Sequence, residues 1–268
     1  MKPIAIKYAG FLIIIIMFNF LANAQKLPNV QQGGLYAPAD VKIDGKTTEW
    51  DNKFQAYNKS TSVFYTMANN NDNLLLVVQA TDKTAIGKIL GGGITLTIAD
   101  KNKANTTVSI TTPVTSAPNR SNIAKVVGGT SPVSDSLLSE LNKGLQNNFK
   151  EIGLKGIAAI SDSSLSVYNE YGIKVSGLLD INRAYNCELA IPLKYLRHLV
   201  ADDGSFNYNI RLNGVKYIKT MLIDGQPIDQ ASPAAAAVLM NLKLDGSPIM
   251  ELNSPTDFSS TYTLIKKP

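Results

Sequence analysis

The stretch VFYTMANNNDNLLLVVQA at residues 63–80 decides the fold. Its first third has period two: Val63, Tyr65 and Met67 alternate with Phe64 and Thr66, which gives an extended strand one inward apolar face. Asn69 to Asn73 is turn chemistry, because Asn and Asp tolerate left-handed backbone and bond their own main chain. Leu74 to Ala80 is then a nearly continuous apolar run, the pattern of a central strand covered on both faces. The two runs form a hairpin.

Working outward, the period of two persists. Ile94 to Ile98 alternates with Thr95 and Thr97 and ends at Asp100, and Thr106 to Thr111 is a weaker strand. Further strands are predicted at Gly156 to Ile160, Leu165 to Tyr168, Ile173 to Leu178, Ala184 to Ile191, Phe206 to Leu212 and Tyr262 to Ile265. Helical spacing occurs at three places. Ala85, Ile86, Ile89 and Leu90 make a short turn stopped by Gly91-Gly92-Gly93, and Leu193, Leu196 and Val200 suggest another after Pro192. The convincing helix carries Leu137, Leu141, Leu145 and Phe149, with Ser134 or Asp135 to cap its start and Gly153 to end it. Residues 112 to 130 and 219 to 255 read as loops.

Many short strands with polar turns, and no alternation of strand and helix, indicate an all-β fold of two packed antiparallel sheets. The division expected is a signal peptide at 1–24, a flexible leader at 25–38, and one β-sandwich domain at 39–268. A helical insertion occupies about 112–154 of that domain.

The signal peptide is read from three parts. Lys2 and Lys7 supply positive charge, Tyr8 to Leu21 is an uncharged, mostly apolar run, and Ala22-Asn23-Ala24 is a small-x-small cleavage pattern. The 14-residue run is shorter than the roughly 20 residues a membrane helix needs. The expected location is therefore secreted, periplasmic or extracellular, with no membrane span after cleavage.

Composition narrows the function. Losing Lys2 and Lys7 with the signal takes the formal charge from +5 to +3, too weak a balance to imply a nucleic-acid partner. One Cys excludes an internal disulfide, and one His excludes a multi-histidine metal site. Cys187 shares a face with Leu189 and Ile191 and reads as a small buried hydrophobe, while His198 falls on the polar side of its turn beside Arg197. Paired acids for hydrolysis can be nominated, Glu49 with Asp51 or Glu170 with Glu188, without support from their spacing.

The stretch Ile43-Asp44-Gly45-Lys46-Thr47-Thr48-Glu49-Trp50 carries a resemblance. This I-D-G-x-x-x-E-W opening is similar to that of the family 9 carbohydrate-binding module-like domains of secreted bacterial proteins. Segments in that family's order follow at Asn70 to Leu76, at Ala190 to Pro192 and at Pro255 to Phe258. The chain also resembles, more distantly, the dopamine-monooxygenase-like sandwiches. The resemblance implies a jelly-roll type of β-sandwich and a glycan ligand, gripped by aromatic faces because C–H-rich sugar surfaces stack on π-systems. Sugar-binding members clamp the ligand between two Trp residues. This chain has only Trp50, placed where the family's Trp is a core or lid residue, and Ser259 stands where another Trp is often found.

The candidate ligand-binding residues are therefore Trp50 and the segment Tyr168-Asn169-Glu170-Tyr171, two rings with an amide and a carboxylate at an expected hairpin tip. Structural calcium is the cofactor that the resemblance implies, with Asp44, Asp82 and Asp100 at strand ends as candidate ligands, although Asp at turns ordinarily caps backbone. The resulting expectation is a non-catalytic binding domain for an extracellular or cell-wall glycan. The alternatives are a structural or protein-interaction role with an envelope or secreted partner, and, third, a glycan-acting hydrolase.

Overall fold

The computed structural model describes residues 26–103, 105–114, 132–215, 222–223, 226–227, 232–233, 243–244 and 247–267. The signal peptide predicted at 1–24, most of the loop predicted at 112–130 and much of that at 219–255 lie outside the described residues. Among those described, no helix is long and apolar enough to cross a membrane.

Eleven strands build two antiparallel sheets. In chain order they are β1 (Ala56–Asn58), β2 (Val63–Asn69), β3 (Asn73–Ala80), β4 (Ile94–Ala99), β5 (Thr107–Thr112), β6 (Glu151–Lys155), β7 (Ser164–Ser166), β8 (Lys174–Leu179), β9 (Tyr185–Pro192), β10 (Ser205–Leu212) and β11 (Thr256–Thr263). One sheet has the order β1-β2-β3-β9-β8, and the other β11-β10-β4-β5-β6-β7. Neither closes into a barrel. Two short ribbons, Leu222–Ile223 with Gln226–Pro227 and Lys243–Leu244 with Ser247–Pro248, stand outside these sheets.

The hairpin of residues 63–80 is formed as expected, with Val63 opposite Ala80 and Asn69 opposite Leu74. The side chain of Asn70 closes the turn by accepting from the N–H groups of Asp72 and Asn73. The apolar run of β3 is explained by its position third of five strands. Leu74, Leu76, Val78 and Ala80 face the core between the sheets, while Leu75 and Val77 face a second apolar layer with Trp50, Phe54 and Ala37. Cys187, Leu189 and Ile191 share the inner face of β9, as their alternation predicted, and burial pushes the Cys187 thiol up to about 12. Inside the sandwich the Tyr65 and Tyr208 hydroxyls satisfy each other, at 2.9 Å.

Helix α1 (Lys83–Gly92) is capped by Asp82, and α2 (Asp135–Asn148) by Ser134. The α2 helix docks on the free edge of β8 through Asn142. Its side chain donates to the Leu179 carbonyl at 3.0 Å and accepts from the Leu179 N–H at 2.8 Å, standing in for a neighbouring strand.

Five expectations are corrected. Gly153 does not end the helix, which stops at Asn148; it lies in β6, whose Ile152 and Leu154 alternate into the core. The strand predicted at 156–160 is a turn, closed by Ile160 N–H to the Ile157 carbonyl, because Gly156 (φ +85°) breaks the extended chain. The last strand starts six residues before Tyr262, since Phe258 and Tyr262 both face inward from a polar-looking segment. Within 219–255, Ile249–Asn253 forms a short helix, α3.

The fifth correction concerns the leader at 25–38, whose described residues are held and not loose. The Gln31 side chain stands in for a strand residue beside β2, accepting from Met67 N–H and donating to the Met67 carbonyl, both at 2.8 Å. Its own N–H donates to the Tyr65 hydroxyl at 2.9 Å. Further along, the Asn69 N–H donates to the Leu35 carbonyl and the Ala37 N–H to the Asn69 carbonyl. Glycine, proline and glutamine suggested flexibility; the unpaired groups of the sheet supply the partners that hold it.

Candidate functional site

The outer face of the five-stranded sheet carries one buried acid. Alternation along β9 puts Asn186, Glu188 and Ala190 on the face opposite Cys187, and Glu188 is fully buried there. The I-D-G-x-x-x-E-W segment folds directly over it. Glu188 Oε2 accepts from the N–H groups of Asp44 at 3.0 Å and Gly45 at 2.9 Å, and Oε1 accepts from the Trp50 indole N–H at 3.1 Å. Burial raises the Glu188 carboxyl to about 7 against the lowering pull of these three donors.

Gly45 is required by this arrangement. It sits at φ +84°, and a Cβ there would stand 2.9 Å from Leu178 Cγ on the adjacent edge strand. Gly45→Ala is expected to destabilise the protein by about 1–3 kcal/mol in urea unfolding and to red-shift the emission of Trp50, the chain's one tryptophan.

Trp50 is thus the lid over Glu188 and is not open to a ligand. Its ring packs with Phe54, Leu75, Val77 and Ala190. The motif that carries the family resemblance therefore builds a latch on the sheet, and the nominated pair of Glu170 with Glu188 is separated by it: Glu170 is exposed and Glu188 is sealed. Glu49 and Asp51 are engaged locally, the first by the Thr48 hydroxyl and the second by Lys53.

Asp44, Asp82 and Asp100 each have a backbone task. Asp44 accepts from the Lys46 N–H, Asp82 caps α1 through the Ala85 N–H, and Asp100 accepts from the Asn102 and Lys103 N–H groups. Among the described residues, no three His, Cys, Asp or Glu side chains gather as a metal would need. His198 is exposed.

The segment 168–171 does not sit at a hairpin tip. β7 belongs to one sheet and β8 to the other, so the chain crosses between sheets there. Asn169 fixes the crossing by donating to the carbonyls of Ser166 and Ile173 and accepting from the Tyr171 N–H. This divides the four candidates between two neighbouring clefts. Tyr168 and Asn169 border a cleft of about 770 Å³ that opens between α2 and the start of β8. Glu170 and Tyr171 border another of about 570 Å³, floored by Leu75 and Ala190. Ile43, Gly172 and Lys174 line both, so the two clefts meet along one ridge.

The two rings have different surroundings. Tyr171 packs partly into the core, and its carbonyl accepts from the Tyr195 hydroxyl at 3.1 Å. Tyr168 is 82% exposed, the most open large apolar side chain described, with the Lys150 ammonium 5.9 Å from its ring centroid. Around it the larger cleft presents amides and a hydroxyl, Gln146, Asn147 and Ser176. The two amides come from α2 and the hydroxyl from β8, and nothing in their sequence context marks them. Glu188 did leave a signal, as a lone acid inside the strand NCELAI.

No protein-family model, no curated protein and no solved structure matches the chain.

Proposed function

We propose that this chain is a secreted, non-catalytic saccharide-binding β-sandwich whose site is the cleft beside Tyr168. The observation that carries the reading is that ring. An aromatic side chain left 82% open is unusual for a group worth burying, and here it stands at the lip of a concave, amide-bearing cleft. A pyranose stacks its C–H face on such a ring while its hydroxyls exchange hydrogen bonds with side-chain amides, which both donate and accept. Gln146 and Asn147 supply those amides. The resemblance of the 43–50 segment to the opening of carbohydrate-binding modules supports the same reading, as does the signal-like N-terminus.

The test is a glycan array followed by calorimetry with the purified protein. Tyr168→Ala is expected to weaken binding of any retained glycan at least about tenfold, the loss of one ring stack. The melting temperature stays within about a degree because an exposed ring carries little stability. Binding unaffected by this substitution, or no glycan bound at millimolar concentration, overturns the proposal.

A further inference from the structure

We infer that the saccharide is an anionic one, a polyuronate or similarly acidic chain running across both clefts; this rests on the saccharide reading above. Three observations carry it. The first is charge: the two clefts are lined by Lys150, Lys174, Lys194 and Arg197 against the acids Glu170 and Asp72. All six side chains belong to exposed residues.

The second is that, among the described residues, none of these cations is neutralised by a carboxylate. The ion pairs among the described residues are Lys46 with Asp44, Lys53 with Asp51, Lys101 with Asp203 and Arg211 with Asp257, and none involves a cleft cation. Two of the cleft ammonium groups instead stand over aromatic rings, Lys150 near Tyr168 at 5.9 Å and Lys194 over Tyr195 at 4.9 Å. Cations held this way keep their charge available to an incoming carboxylate.

The third is continuity. Lys174 lines both clefts, so a chain stacked on Tyr168 passes this ammonium before reaching Lys194 and Arg197. A neutral glycan makes no use of that series. A repeating acid does, one charge after another, and the avidity of several sites on one chain adds to it.

The experiment compares polygalacturonate with its fully methyl-esterified form, which has the same backbone without the charge. Calorimetry is run at about 20 mM and about 300 mM salt, a range over which exposed charge attraction is largely screened. The acidic polymer is expected to bind at least about tenfold more tightly than the ester at low salt. That preference shrinks at high salt, and Lys174→Gln removes most of it without moving the melting temperature. Equal binding of acid and ester overturns the inference and leaves the saccharide reading standing. Polyglutamate of matched length binding as tightly as polygalacturonate overturns both, as does no saccharide binding.

Discussion

Replacing Glu188 with alanine is expected to cost about 3 kcal/mol of folding free energy and to release Trp50. The carboxylate is the acceptor for the Asp44 N–H, the Gly45 N–H and the Trp50 indole N–H, all under the lid. Alanine leaves three dry donors, each worth roughly 1–3 kcal/mol when unpaired, with part recovered by water entering the space. Because the chain holds one tryptophan, its emission reports on this lid directly, and a red shift should accompany the loss in urea midpoint. An unshifted emission with unchanged midpoint would show that the latch contributes nothing.

The same acid sets a pH dependence whose sign is opposite to that of an ordinary paired carboxylate. Folding raises Glu188 from 4.5 to about 7, through burial first. The folded state therefore keeps its proton in a range where the unfolded chain has given it up. Its contribution is full below about pH 4.5, declines as the pH rises toward 7, and is then flat. The rise to about 7 already includes the pull of the three donors, so the decline attributable to Glu188 is about 3 kcal/mol. Glu188→Gln removes this dependence and adds its own fixed cost of about 1–2 kcal/mol, since the amide NH₂ and the Trp50 N–H are both donors. The check is the difference in urea stability between wild type and Glu188→Gln at pH 5 and pH 8. A difference that does not change between them refutes the raised carboxyl.

The second large effect is expected at the chain segment that looks most dispensable. Deleting residues 26–38 should lower stability by more than about 4 kcal/mol. It removes the Gln31 bonds to Met67 and Tyr65, the Leu35 and Ala37 pairing with Asn69, and Leu27, Leu35 and Ala37 from the outer apolar layer. Gln31→Ala alone should cost about 2 kcal/mol, because the Met67 N–H and carbonyl lose their partner inside the protein. Urea unfolding of both variants tests this, and a deletion as stable as wild type would show the segment to be a passive tail. The contrast with Tyr168→Ala, which should change binding and leave stability alone, separates the parts that hold the sandwich from the part assigned to ligand.

How far these features were legible depends on how local their causes are. The hairpin at 63–80, the inward face of β9 and the buried state of Cys187 all follow from alternation, which needs only neighbouring residues. The capping roles of Asp82 and Ser134 are equally local. The strands β6 and β11 were misplaced for a related reason. Polar residues between Phe258 and Tyr262 hide the period of two, and Gly153 looks like a helix stop although it is paired opposite Thr111.

The site was less visible. The sequence put an aromatic–amide segment at 168–171 and an acid in β9, yet it offered no means of joining Glu188 to Trp50 across 138 positions. Gln146, Asn147 and Lys150 are ordinary surface residues around the end of α2, and they meet Lys174 only where α2 packs against the edge of β8.

The amino-acid order by itself determined that this is a two-layered antiparallel β protein, because the side-chain period of an extended chain records which face turns from water. It also determined the turn at 69–73 and the Ser134 cap, since those are set within four or five residues. Tertiary structure alone decided that the indole is a lid and Tyr168 an open platform, that the leader is a structural strip, and that four cations with no carboxylate partner among the described residues share adjoining clefts. Those outcomes depend on which distant groups meet, and a hydrogen bond or a cleft between remote segments leaves no periodic trace in the chain that forms it.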